Sequence, residues 1–372
     1  MKFVFWQKFV SSHQTAFLLT LSKYHEVVLV VDYVIDENRH KMGWDFVIPD
    51  QIKVIIEPSD SKILEVLKMA DHNVISGFRD GICVKRAILV SKINKLPFYM
   101  LLEPPMYIDK FSFHTLIRYL IYKLFFIRYQ DIIKAIFAIG KSGFLFYNNI
   151  FDKNKVFEFG YFIDEIARKD SSSDFKNKEN ILSFAFVGSL VPRKGLLKFL
   201  KLFLRIKDLV NFKFRIFGDG PEIDNIVELI SKSSYEKNFE FYGFLRNNEV
   251  LDYLKKNDVL VLFNQNTEGW GVVINEAIIS GNYIICTELT GASVVVEENP
   301  EFGLILKHNI SFTEFKKKII HLFQNYQINS QSVKNLARSG VISPKSAVIY
   351  FLAVIDFSQQ KSEKPVAPWR RL

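Results

Sequence analysis

The chain has 372 residues, of which 49% are hydrophobic and 24% charged, and its formal net charge is +9. That length suits two domains of about 150 residues each, and the composition excludes an intrinsically disordered chain. Lys and Arg are spread along the sequence instead of gathered in a tail, which suggests attraction to phosphates or anionic lipid, and no nucleic-acid-binding motif accompanies them. The only cysteines, Cys83 and Cys286, cannot build a disulfide framework and fit a reducing compartment. The opening MKFVFWQKFVSSHQ breaks its apolar run at Gln7 and Lys8. No stretch approaches the ~18 uninterrupted apolar residues of a membrane span. A cytoplasmic protein is expected.

In chain order, KFVFW, EVVLVVDYV, NVIS, PFYMLL and AIFAI read as buried strands. Pieces with helical spacing separate them, such as HQTAFLLTLSKY and CVKRAILVSKI. The stretch DEIARKDSSSDFKNKEN (164–180) is charged and Ser-rich and reads as a linker, with its bounds set at 165–181. A second strand series follows: ILSFAFVG, FKFRIFG, FEFYG, DVLVLF and YIIC. Strand–helix alternation with near-continuous apolar strands predicts an α/β chain with two Rossmann-like, doubly wound parallel sheets, in domains 1–164 and 182–342. The helical piece 343–358 is apolar on much of its circumference and is expected to pack back on the first domain. The tail 359–372 is expected to fray. Ligands in such folds lie at the carboxyl ends of strands, so function is sought in the strand-to-helix turns.

Several motifs fail on inspection. GKS at 140–142 lacks the glycine that a phosphate loop needs at position 135, where Ala135 stands, and the strand runs almost to Lys141. GDG at 218–220 has Ile223 in place of the third glycine of a dinucleotide fingerprint. No Asp-x-Asp occurs, which disfavours a metal clamp on a sugar nucleotide, and the seven His lack metal-ligand spacing.

Three turns of the second half fit one ligand. In VGSLVPRKG (187–195) the strand ends at Gly188, and Arg193 and Lys194 stand just before Gly195 and a helix. Two cations beside a helix N-terminus suit a diphosphate. In IFGDGPEI (216–223) the glycines allow a tight turn and Pro221 is expected to open the next helix; those residues serve equally well as a cleft wall. NTEGWGVVINEAIISG follows the strand DVLVLF and places Glu268 in a loop and Glu276 in the helix after it. A carboxylate accepts hydrogen bonds from hydroxyls and repels phosphates. Two carboxylates flanking a phosphate-seeking segment suit a ligand with hydroxyls at both ends and phosphates between, the layout of a sugar nucleotide.

With these turns in place, residues 182–308 resemble the donor domain of retaining glycosyltransferase family 4, whose architecture, GT-B, sets two Rossmann-like domains facing across a cleft. The resemblance rests on VGSLVPRKG, FRIFGDGPEI, FYGFL, the Glu-x7-Glu element EGWGVVINE and AIISGNYIICTELTGA. SSHQTAFLL, HNVISG, FAIGKSGFLFYNN and FGYFID extend it more loosely over residues 1–357, towards enzymes that build bacterial surface polysaccharide, capsule and lipopolysaccharide. The resemblance implies that Glu276 holds the ribose hydroxyls of the donor. It implies that Glu268, with the backbone of Gly269, Trp270, Gly271 and Val272, holds the transferred sugar. Arg193 and Lys194, next to the turn at Gly188, would bind the diphosphate and stabilise its growing charge with no metal and no other cofactor. Phe244 and Leu245 would meet the nucleobase. Many members have Arg after the glycine of the first turn; here Ser189 stands there, and the Arg193–Lys194 pair can supply both charges.

The partners expected are therefore a nucleotide-sugar donor and a glycan or lipid-linked acceptor. On the acceptor side, His13 after the first strand and Glu103 at the end of PFYMLLE project towards the cleft, and Glu103 could orient or deprotonate an acceptor hydroxyl. The segment KFSFHTLIRYLIYKLFFIRY (110–129) mixes aromatics with bases. Lys110, His114 and Arg118 share one helical face and Lys123 and Arg128 do not, so it is no clean amphipathic helix. It reads either as an interfacial helix on the inner, anionic face of the cytoplasmic membrane or as a core helix whose bases snorkel. Two rival functions share the architecture: a sugar-nucleotide epimerase, for which no acid/base pair is found, and a catalytically silent binding partner.

Overall fold

The computed structural model describes residues 1–35, 49–105, 113–163, 181–206, 211–337 and 340–370. Apart from Ile181, the linker segment 165–181 lies outside the described residues. The chain divides into two compact units, Met1–Ile163 with Ile342–Arg371, and Asp164–Val341.

In the first unit, β1 (Lys2–Phe9), β2 (Glu26–Tyr33), β3 (Lys53–Ile56), β4 (His72–Ser76), β5 (Phe98–Leu102), β6 (Ile133–Ile139) and β7 (Val156–Phe159) form a parallel sheet. Its order is β3-β2-β1-β4-β5-β6-β7. Side chains alternate across each strand, and both faces are covered. Val4 and Trp6 of β1 enter one core with α2 (Asp60–Met69), α3 (Ile82–Ile93), α4 (Phe113–Tyr129) and α5 (Gly140–Ile150). Phe3 and Phe5 point to the other face, where Phe5 meets Phe17 of α1 (Ser12–Ser22) edge-on at 6.1 Å.

The second unit holds β8 (Leu182–Val187), β9 (Phe212–Phe217), β10 (Phe239–Gly243), β11 (Val259–Leu262), β12 (Tyr283–Thr287) and β13 (Gly303–Leu306), parallel in the order β10-β9-β8-β11-β12-β13. Helices α6 (Leu196–Phe203), α7 (Ile223–Ser231), α8 (Asn247–Lys255), α9 (Val273–Ile279), α10 (Ser293–Glu298) and α11 (Phe312–Ala337) connect or cover the strands. The turn at Pro221 ends two residues later than the sequence suggests: α7 begins at Ile223, whose N–H closes the turn on the carbonyl of Gly220 at 3.0 Å.

The last helix, α12 (Pro344–Ser358), returns to the first unit. Its Phe351 stacks on Phe137 of β6 at 4.8 Å and touches Phe3, Phe5 and Phe17, so one ring closes the aromatic layer over β1. The residues after α12 do not fray as far as Arg370. Trp369 is 1% exposed and stacks near Phe162, and Arg370 grips both oxygens of Glu158 at 2.6 and 3.0 Å. An aromatic ring with that much apolar area and a bidentate guanidinium outweigh the entropy of a terminal segment.

Helix α4 sorts its residues by shape. Tyr122, Phe126 and Tyr129 are buried, and Leu116, Ile117, Leu120, Ile121, Leu124 and Ile127 are exposed. Lys110 and the side chain of His114 lie outside the described residues. The stripe that looked irregular in sequence is an aliphatic outer face on an aromatic inner one.

Trp369→Ala is expected to destabilise the first unit by about 3 kcal/mol, the usual scale for deleting a buried aromatic. Denaturant melting followed by tryptophan fluorescence measures it; an unshifted transition would mean that the terminal segment is not docked.

Candidate functional site

In the second sheet the order reverses between β8 and β11, because the chain leaves β8 for β9 on one side and β11 for β12 on the other. Loops diverging from adjacent parallel strands leave a crevice at their carboxyl ends, the usual ligand position in such sheets. Backbone contacts fix these loops. Gln265 N–H donates to the carbonyl of Arg193 at 2.8 Å, joining the loops after β8 and β11. They approach closely because residue 195 is glycine, with φ +68°; a Cβ there would lie 2.1 Å from the carbonyl oxygen of Phe263. Gly188 N–H donates to the carbonyl of Phe217 at 2.9 Å, which adds the turn after β9. On the other side Glu268 N–H donates to Leu289 at 2.9 Å, and Trp270 accepts from Ala292 N–H at 2.8 Å. A Cβ on Gly291 would sit 1.8 Å from the carbonyl oxygen of Gly269. Four loops form one laced rim.

Two predicted residues meet on that rim. Lys194, ending the short 3₁₀ turn Pro192–Lys194, forms an ion pair through Nζ with Oε1 of Glu268. Their side chains are only 12% and 16% exposed. The other carboxylate oxygen, Oε2, accepts from Nδ2 of Asn264. Arg193, partly exposed, has no ion-pair partner among the described residues, and its guanidinium is unspent. Ser189 is exposed.

The remaining donor-side candidates take different positions. The Trp270 ring is 2% exposed and donates through Nε1–H to Asn275 Oδ1 at 2.8 Å, so its indole serves the core and only its main chain borders the loop. Gly269 and Gly271 flank it, and Val272 caps α9, a helix of seven residues. Glu276 is buried in α9, and burial pushes its carboxyl up to about 7, with the hydrogen bond to Asn247 pulling the other way. Phe244 and Leu245 follow β10, the first exposed and the second partly so.

In the first unit, His13 lies in the first turn of α1, and Glu103 follows β5. Tyr161, after β7, brings the two together: its hydroxyl donates to Oε1 of Glu103, and its ring lies 5.4 Å from that of His13. Tyr147 donates to the carbonyl of Glu103 at 2.7 Å and holds the same turn from below. Sequence reasoning missed Tyr161, one aromatic among several in the run FEFGYF (157–162). It missed Asn264 too, although a polar residue closing the run DVLVLF was a usable signal. Among the described residues no three His, Cys, Asp or Glu side chains are grouped to hold a metal ion.

Glu276 makes stability depend on pH. Its folded-state pKa lies above the ordinary 4.5, so the native chain binds the proton more tightly than the unfolded chain between pH 4.5 and about 7. Stability therefore falls as pH rises through that window, and the full cost stands above it. Glu276→Gln should raise stability at pH 8 by up to about 3 kcal/mol and leave it nearly unchanged at pH 4.5. Melting curves at the two pH values check this; equal shifts at both would contradict a buried, ionising carboxyl.

Comparison with known proteins agrees with this architecture. Residues 166–339 match the family model described as glycosyl transferases group 1. An uncharacterized 41.2 kDa protein in the cps region of Klebsiella pneumoniae is 28% identical over 185 residues, 46% of this chain and 49% of that one. The alpha-monoglucosyldiacylglycerol synthase of Acholeplasma laidlawii is 29% identical over 199 residues, 51% of this chain and 49% of that one. The matches thus span about half the length of these curated relatives. The crystal structure of Anabaena Alr3699/HepE in complex with UDP superposes with a TM-score of 0.71 at 14% identity, covering 96% of this chain and 100% of that one. The fold is that of the GT-B glycosyltransferases, and the match to glycosyl transferases group 1 covers residues 166–339, a little under half of the chain.

Proposed function

We propose that the chain transfers a sugar from a nucleoside-diphosphate sugar to a glycan or lipid-linked acceptor, with retention of anomeric configuration and without a metal ion, in the synthesis of a bacterial surface polysaccharide. The observation that carries this reading is the Lys194–Glu268 pair where the second sheet reverses its order, with Glu276 buried in the helix that follows. The relatives support it: one lies in a cps region, another is named as a synthase of a glucosyl lipid, and the Anabaena protein holds UDP.

The chemistry follows from charge. The anomeric C–O bond breaks with its electron pair staying on the diphosphate, and a new C–O bond forms to an acceptor hydroxyl, which loses its proton. Negative charge grows on the diphosphate and oxocarbenium character on the sugar. Lys194 and Arg193 stabilise that growing charge more than they stabilise the bound donor. Glu268 accepts from the sugar hydroxyls and Glu276 from the ribose, while Phe244 and Leu245 border the base. On the acceptor side Glu103, held by Tyr161, orients the incoming hydroxyl, with His13 beside it.

The acceptor reading extends to a membrane surface on the cytoplasmic side. The six exposed aliphatics of α4 are joined by Ile82, Leu89 and Ile93, exposed on α3. Lys123 and Arg128 on α4 and Lys85 and Arg86 on α3 are exposed too, Arg86 paired with Asp60 at 3.5 Å, and α4 contains no acidic residue. No helix among the described residues is long and apolar enough to cross a membrane. An apolar face edged with bases suits the headgroup boundary of an anionic bilayer.

A melting panel of uridine, guanosine, adenosine and cytidine diphosphate sugars identifies the donor by mass action. Release of nucleoside diphosphate that depends on acceptor separates transfer from epimerisation and from a silent binder. Lys194→Ala, assayed below the melting temperature that leaving Glu268 unpaired lowers, should reduce that release about 100-fold or more, the scale of losing a fixed charge at a leaving group. Unchanged turnover would refute the role. In flotation, the chain should rise with phosphatidylglycerol vesicles and remain behind with phosphatidylcholine alone, and Leu120→Glu with Leu124→Glu should abolish the binding. Flotation indifferent to lipid charge and to these changes would end the membrane reading.

A further inference from the structure

Asn264 follows the strand β11 and is 1% exposed. Both hydrogens of its amide nitrogen are committed: one goes to Oε2 of Glu268, the other to Oγ1 of Thr290 at 2.9 Å. Its amide oxygen is buried and has no hydrogen-bond partner among the described residues. Turning the amide over would keep a contact to Thr290, whose hydroxyl can donate, but would set the amide oxygen against the carboxylate oxygen of Glu268 and leave it without a donor. The side chain is thus held in the one orientation that gives Glu268 a donor, with its own acceptor left unmet. Leaving a buried acceptor unpaired costs stability, and the strand preceding it, Val259–Leu262, is wholly apolar and buried. An aliphatic residue at 264 would continue that strand's burial without the unmet oxygen. The cost has a return if Glu268 needs a fixed carboxylate.

We infer that Asn264 is a positioning residue of the transfer reaction: by fixing Oε2 of Glu268 it leaves Oε1 as the single oxygen that pairs with Lys194 and, when the donor enters, accepts from the sugar. The role in turnover rests on the functional reading above; the clamp itself does not. Without Asn264 the carboxylate rotates about its last bond, both oxygens compete for the ammonium, and the sugar hydroxyl loses its fixed acceptor. Lys194, less firmly held, becomes more reactive.

The test uses the full chain with Asn264→Leu and Asn264→Ala, the second guarding against a packing clash in the first. Acetylation of Lys194 by sulfo-N-hydroxysuccinimide acetate, read by peptide mass spectrometry, should speed up about threefold or more in both variants. Turnover with the donor chosen by the melting panel should fall on the order of 100-fold, with affinity for the bare nucleoside diphosphate undiminished. The melting temperature should stay within a few degrees. Unchanged labelling of Lys194 would overturn the clamp. Turnover within about twofold of the parent, or turnover and nucleoside-diphosphate affinity falling together with the melting temperature, would reduce Asn264 to a structural tie. If the parent chain releases no nucleoside diphosphate from any sugar nucleotide, the functional reading fails, and the labelling rates still decide whether Asn264 holds the pair.

Discussion

An ammonium and a carboxylate, each largely out of water, hold one another across the line where the second sheet reverses direction of winding. Charges in that setting must be paired, since desolvation costs each of them several kcal/mol that only a close partner offsets. The pairing imposes a geometric demand: the loops after two neighbouring strands must come within one lysine's reach. Gly195 meets it by letting its backbone rest on the carbonyl of Phe263, and Gly291 does the same beneath Gly269. The charges require a rigid rim, and the parallel sheet supplies the rigidity through strands that are buried along almost their whole length.

Much of this was legible from residue order. The central strands announced themselves as uninterrupted apolar runs, because a strand covered on both faces has no polar side to show. The three strands that went unread, β3, β7 and β13, are four residues each and lie at sheet edges, where one flank meets solvent and the apolar signal thins. Glu268, Glu276, Arg193 and Lys194 stood out because charged residues at strand ends are chemically conspicuous. Asn264 and Tyr161 did not, since what each does depends on a partner brought close by folding: Glu268 for one, Glu103 and His13 for the other. The terminal segment misled for a different reason. Its composition is that of a frayed end, and only the pocket waiting for Trp369 makes it otherwise.

Phenylalanine does two jobs in this chain. In the second unit Phe184, Phe199, Phe203 and Phe214 pack against one another between the sheet and α6, a core that a single residue type can fill because rings accept both stacked and edge-on contacts. In α4 the rings mark the inward side, and aliphatic residues are left for the outside. Helices on soluble surfaces usually invert that assignment, with polar groups outward. The same segment therefore looked disordered in its pattern while obeying a strict one.

The return of α12 to the first unit also constrains how the chain matures on the ribosome. The strands that Phe351 must cover are made first, and the ring that covers them is made after the whole of the second unit. Domains fold largely as they emerge, so the later-made sheet can close while Phe3, Phe5 and Phe137 of the earlier one still lack the cover of Phe351. That interval exposes a sticky aromatic surface on a half-finished product, and nascent-chain chaperones would find their substrate there.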